Sequence, residues 1–244
     1  MYGCFPDPTD ARDIPLSGFI DSGAPMPTNV SYLGYTDEIE DQKAVPACVG
    51  FGVTAIKEAH DKFHNEFTKL SAIWLYDRAK HLDDEPYAGG TYIRMAMKIL
   101  ANEGAAPHFM VPYDDEYHYG KFDSLVIPPE VTRPFRIKTY ARLTGIEEMC
   151  RCLSQHGPFA MGIKVTNEFE CCLGNEWVPV HYKSVNGGHC IAVVGYSLVE
   201  ETFTIVNSWG QIWGKGGIAK IPFEYWQRFG MDAWGIVDIS PNEA

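Results

Sequence analysis

No stretch of this 244-residue chain approaches the roughly 20 consecutive apolar residues that a bilayer-spanning helix needs. The opening MYGCFPDPTDARD has neither a basic n-region nor an apolar h-region, so no secretory signal is expected. Basic runs are missing too. With 32 acidic residues against 20 basic ones, a formal charge of −12 and a pI near 5.0, nucleic acid and anionic membrane surfaces are poor partners. There is no internal repeat and no low-complexity tract. Cysteine occurs, but not as a framework. The seven cysteines are an odd count in a long chain, unlike a disulfide-dense scaffold. Without a secretion signal they are expected to be mostly reduced, which suits a cytoplasmic or otherwise non-secreted protein. Cys150 and Cys152 form C-x-C and Cys171 adjoins Cys172, neither being the C-x₂-C spacing that suits zinc, so no metal and no cofactor are expected.

What is present is ordinary globular material, 45% hydrophobic and 21% charged, long enough for one large domain or two lobes around a cleft. Residues 1–27 carry the breakers PDP, DIP, GAP and MP and read as an extended arm. Val49, Val53, Ile56, His60 and Phe63 then recur at helical spacing, predicting an amphipathic helix from Cys48 to about residue 66. Ser71 reads as the N-cap of a second helix holding Ile73, Trp74, Leu75 and Ala79. A third helix is expected over 91–103, stopped by Gly104. From about residue 130 the strand patterns RIKTYARL, FAMGIKV, CIAVVGY, TFTIVN and GIAKI dominate, with a short helix around 145–155. The expected class is α+β, with a helical lobe over 28–125 and a β-rich lobe over 126–244.

Three segments carry chemistry. Cys48 opens a buried helix, where the positive end of the macrodipole favours thiolate over thiol. His189 follows two glycines and leads an alternating strand, GGHCIAVVGY. Asn207 ends another strand directly before SWG. Singly, each has a plainer reading: a buried core cysteine, a hydrogen-bonded structural histidine, a turn asparagine. Together they describe a nucleophile, a base and an orienting group.

In that combination the chain resembles the papain-like cysteine peptidases, over nearly its whole length from about residue 26. His189 follows Cys48 by 141 residues and Asn207 by 159, near the spacing of about 130–150 typical of the family. The run NSWG-x-x-WG-x-x-G is matched by Asn207, Ser208, Trp209, Gly210, Trp213, Gly214 and Gly217. LSAIWLYDRAK, GTYIRMAMKILANEG and the opening YGCFPDPTDARD resemble a compact bacterial, archaeal and viral branch with a short N-terminal extension. The resemblance implies a two-lobe fold with its site in the cleft. Cys48 would be the nucleophile, His189 the general base and acid, and Asn207 the orienter. The Gln42 side chain and the Cys48 N–H would form the oxyanion hole. Trp209 would cover the His–Asn bond, Trp213 would line the leaving-group side, and Gly89, Gly90 and Gly188 would contact substrate. The implied protein is a monomeric endopeptidase acting on peptides or proteins. Alternatives are a papain-fold binding protein and a thiol-dependent acyl transferase.

The sequence departs from the family pattern ahead of the nucleophile, where QKAVPACVGF replaces Q-G-x-x-G-S-C-W-A-F. Lys43 replaces a Gly, Pro46 another Gly, Ala47 a Ser and Val49 a Trp. Pro46 removes an N–H and is expected to stiffen the loop and narrow the adjacent subsite. The arm over 1–27 either covers the cleft or straps the outside of the two lobes.

Overall fold

A computed structural model describes residues 2–180 and 184–237. Its first half is helical: α1 (Cys48–Phe63), α2 (Ala72–Lys80) and α3 (Ile93–Asn102). The Ser71 hydroxyl accepts the Trp74 N–H and caps α2 as expected. α3 ends before Gly104, whose φ of 85° is left-handed and would set any side chain against the Thr132 carbonyl. The three helices bury Val49, Val53, Ile56, Ile73, Leu75, Met97 and Leu100 against one another.

The second half is a seven-stranded sheet. Six strands run in the order β4 (Thr139–Leu143), β9 (Gly230–Val237), β5 (Phe159–Thr166), β6 (Val185–Ser197), β7 (Thr202–Val206) and β8 (Ile218–Pro222), all antiparallel. Helices α5 (Ile146–Gln155) and α7 (Phe223–Phe229) complete this lobe. The α+β class is therefore as expected, but the lobe boundary is not. Residues 29–31 form β2, pairing Asn29 with Ser197 and Ser31 with Gly195 on β6, so this stretch joins the sheet. Conversely Ile137 belongs to the helical core, where its N–H donates to the Leu100 carbonyl. Strand β9 was not read from GMDAWGIV, because Asp232 interrupts the apolar pattern; the chain buries that aspartate.

The lobes meet where α1 packs on β6. One turn after Cys48 on the same helix face comes Gly52, and a Cβ there would lie 2.7 Å from Cys190 Sγ. The missing side chain lets the helix approach this strand, and Cys190 adjoins His189, so a side chain at position 52 would press α1 away from the strand that carries the imidazole. Gly52→Val is expected to cost about 1–3 kcal/mol by overpacking. A lowered denaturation midpoint, with loss of activity at temperatures where the variant is still folded, would record both effects.

Candidate active site

Helix α1 begins at Cys48 behind Ala47, which offers no side-chain cap. The first-turn N–H groups therefore face the sulfur rather than a capping oxygen, and the amides of Cys190, Val49 and Gly3 lie against it. Opposite, the sheet register assembles the other two groups. Ala192 on β6 faces Val206 on β7, so the residue after β7 falls beside Ile191. His189 lies two residues along on the same face, within diagonal reach. Its Nε2–H donates to Asn207 Oδ1 at 2.7 Å. That bond fixes the tautomer and leaves Nδ1, which has no partner among the described residues, as the basic nitrogen. Trp209 stacks over the imidazole with ring centroids 4.5 Å apart and planes tilted 31°.

Gln42 is held in the same cluster. Its N–H donates to the Ser208 carbonyl at 2.8 Å, and Ser208 Oγ–H donates to Gln42 Oε1 at 2.7 Å. Orienting the amide this way turns Nε2 toward the loop ahead of Cys48, where one proton goes to the Val45 carbonyl at 2.8 Å. Ser208 thus positions Gln42 across the lobe boundary. Its place inside NSWG was legible in the sequence; this partner was not. Lys43, the residue in place of glycine, has a φ of 47°, the left-handed conformation that glycine adopts freely. Its N–H donates to Asp41 Oδ1 and its ammonium pairs with Asp115 at 2.8 Å.

The arm decides the state of this site. Residues 2–7 run through the cleft rather than over its outside. Gly3 N–H donates to the Gly188 carbonyl at 3.0 Å, and Thr91 N–H donates to the Gly3 carbonyl at 3.0 Å. Strand β1 (Cys4–Phe5) continues as a parallel partner of β3 (Thr91–Tyr92). The walls are glycines because backbone meets backbone. A Cβ on Gly90 would lie 2.6 Å from Gly3, one on Gly187 2.8 Å from the Tyr2 ring, and one on Gly188 would collide with the Cys4 carbonyl. Gly90 and Gly188 are thus the residues that receive an extended chain, and Gly89 abuts the Pro46 ring beside them. The Pro46 carbonyl, which any residue at that position would present, packs directly on Gly3.

Beneath the arm Cys48 and His189 are both 0% exposed. Burial pushes the Cys48 thiol up to about 12, partly offset by the surrounding amides. Burial likewise drives His189 down to about 3, against the bond it donates to Asn207. Under the arm, burial thus favours the uncharged form of both the thiol and the imidazole.

One expectation is corrected. Trp213 does not line the cleft: it is 2% exposed, belongs to the core of the β-rich lobe, donates its Nε1–H to the Phe169 carbonyl at 2.8 Å, and packs behind Trp209. An indole so large is worth most when fully enclosed. All seven cysteines are free thiols, six of them buried. Asp77, His81 and Asp123 converge on the far side of the helical lobe, but both His81 nitrogens are already engaged, with the Asp77 carbonyl and with Asp123 Oδ1, each at 2.7 Å.

Comparison with known proteins shows the family and the fold. The profile of the papain family of cysteine proteases matches residues 28–233. An uncharacterized peptidase C1-like protein of Acanthamoeba polyphaga mimivirus is 26% identical over 224 residues, covering 82% of this chain and 70% of that protein. Cathepsin K of Mus musculus is 22% identical over 203 residues, covering 80% of this chain and 60% of its own length. Among solved structures, xylellain, a cysteine protease from Xylella fastidiosa, superposes with a TM-score of 0.84 at 23% identity, covering 98% of this chain and 96% of that one.

Proposed function

This chain belongs to the papain family of cysteine proteases and is a cysteine peptidase; from that premise we propose that it cuts within peptide chains, using Cys48, His189, Asn207 and Gln42. The observation that carries the reading is the arm itself. An extended segment, residues 2–5, crosses Cys48 with its backbone hydrogen-bonded to both walls, at Gly188 and Thr91. A cleft whose two walls grip an extended backbone suits a substrate bound along its main chain, as an endopeptidase binds one.

In the proposed reaction the substrate replaces residues 2–7. The proton of Cys48 passes to His189 Nδ1, and the thiolate attacks the scissile carbonyl carbon. The oxygen takes up negative charge facing the Cys48 N–H and the Gln42 amide, a donor of this kind being worth about 3–4 kcal/mol. His189 then gives its proton to the leaving amine as the C–N bond breaks, leaving a thioester on Cys48. Water, deprotonated by His189, hydrolyses the thioester and restores the thiol. Asn207 holds the imidazole in the required tautomer throughout, and Trp209 keeps water from the His–Asn bond.

We read the arm as a short pro-like segment that must leave before substrate enters. The acidic surface and free thiols support a monomer acting on peptide or protein substrates in a reducing compartment. The test is incubation with an epoxide thiol-protease inhibitor at neutral pH with reductant, followed by peptide mass mapping. The adduct is expected on Cys48 and cleavage is expected in a peptide blocked at both ends. Failure of the adduct to form at Cys48 would refute the site, and cleavage confined to free-ended peptides would refute the endopeptidase reading.

A further inference from the structure

The arm is anchored by a contact that electrostatics should oppose. Asp7 and Asp232 are 7% and 2% exposed, and both are carboxylic acids. Asp7 N–H donates to Asp232 Oδ2 at 2.8 Å, which brings the two carboxyls close enough for each to feel the other's charge. Each keeps an Oδ1 with no hydrogen bond among the described residues. Neither carboxyl takes part in the peptidase chemistry, and Asp232 alone breaks the apolar pattern of β9.

The surroundings do not neutralise both. From α3, Arg94 donates its backbone N–H to Asp7 Oδ2 at 3.1 Å, but its guanidinium is committed to Asp13 at 2.9 Å and stands 3.7 Å from Asp7 Oδ1. From β4, Arg142 also binds Asp13 at 2.9 Å, and the Tyr140 phenol faces the cluster. From β9, Trp234 donates its Nε1–H to Asp7 Oδ2 at 2.8 Å. Within the arm, Asp10 is held by the exposed Arg12. The remaining neighbours are the Tyr92 phenol on β3 and the thiols of Cys4 and Cys190. Asp7, Asp13 and Asp232 therefore share two guanidiniums, leaving one buried carboxylate in excess.

We propose that the Asp7–Asp232 carboxyl pair is a proton-operated latch: a proton on the pair keeps residues 2–7 seated over Cys48, and its loss as the pH rises frees the arm. This rests on the arm acting as the segment that closes the peptidase cleft. Burial first, and the neighbouring Asp232 second, raise docked Asp7 to about 7, while burial raises Asp232 as well. Free in solution, an aspartate titrates near about 3.9. The docked state thus binds the proton more tightly. Docking is strongest below the free value and weakens by about tenfold per pH unit until the docked value near 7 is passed, then stays weak. Whatever Cys48 and His189 gain or lose on opening is the same in the wild type and in a variant of Asp7, so it drops out of the comparison between them.

Asp7→Asn tests the latch in the full chain, since an amide preserves the shape, can accept from Trp234 and Arg94, and can donate to Asp232 at any pH. The measurement is the rate of Cys48 carboxamidomethylation by iodoacetamide, followed by mass mapping from pH 4.5 to 8. The ratio of wild-type to Asp7→Asn rates cancels the titration of the thiol and imidazole. It is expected to climb about tenfold per pH unit between pH 5 and 7 and then level off. Asp232→Asn is expected to flatten the wild-type response in the same way. A ratio that stays constant, or falls as pH rises, overturns the latch while leaving the peptidase site standing. Failure to label Cys48 in any of the proteins at any pH overturns both.

Discussion

Replacing Cys48 by Ala is expected to reduce peptide hydrolysis by about 10⁴-fold or more, with the fold intact. The size of the loss follows from the division of labour in the site. In the proposed site His189 carries the proton and Asn207 orients it, neither replacing the thiolate as nucleophile, and Gln42 would stabilise charge only after a nucleophile has attacked. Removing one buried sulfur leaves a small cavity at the head of α1, a cost of about 1 kcal/mol that the packed helical core can absorb. Thermal denaturation should therefore change little while turnover of a blocked fluorogenic peptide disappears. Residual hydrolysis near the wild-type rate would move the chemistry to another residue. A large drop in melting temperature would instead assign Cys48 a mainly structural part.

Gly3→Val is expected to act in the opposite direction. A Cβ at position 3 would run into the Pro46 carbonyl, which is backbone and cannot rotate aside. The variant should expel residues 2–5 from the cleft while Asp13 remains tied to Arg94 and Arg142, so the arm keeps its outer anchor. Uncovering Cys48 lets its thiol return from about 12 toward the ordinary cysteine range near about 8.5. At pH 7 that multiplies the thiolate fraction by about 10³, and because a less basic thiolate is also a weaker nucleophile, carboxamidomethylation should rise by about 10²-fold. Hydrolysis should rise with it. If Gly3→Val alkylates no faster than wild type, the arm does not gate the site.

The three helices and most strands were legible because each is a local pattern. The Ser71 cap, the stop at Gly104 and the alternation of CIAVVGY depend on residues a few positions apart. Strand β9 was missed for the converse reason: Asp232 is a charge inside an apolar run, and its burial depends on Asp7, 225 residues away. Trp213 was misassigned because a motif records that an indole is required without saying whether it faces a ligand or the core. The crossing of residues 29–31 into the sheet left no signal in three polar and apolar residues of an edge strand.

By itself the sequence determined the family and the α+β class and singled out the residues proposed as nucleophile, base and orienter, since those rest on residue type and spacing. Only the tertiary structure decided where the arm lies and what it does to Cys48 and His189. PDPTDARD reads as a solvated, breaker-rich segment until Arg94 from one lobe and Arg142 and Trp234 from the other converge on its aspartates. The protonation state of a thiol depends on whether water reaches it, and exclusion of water here is the joint product of Gly3, Cys4, Gly90 and Gly188 meeting backbone to backbone. No local pattern encodes a contact of that kind, because glycine announces only the absence of a side chain and not the chain that will fill the space.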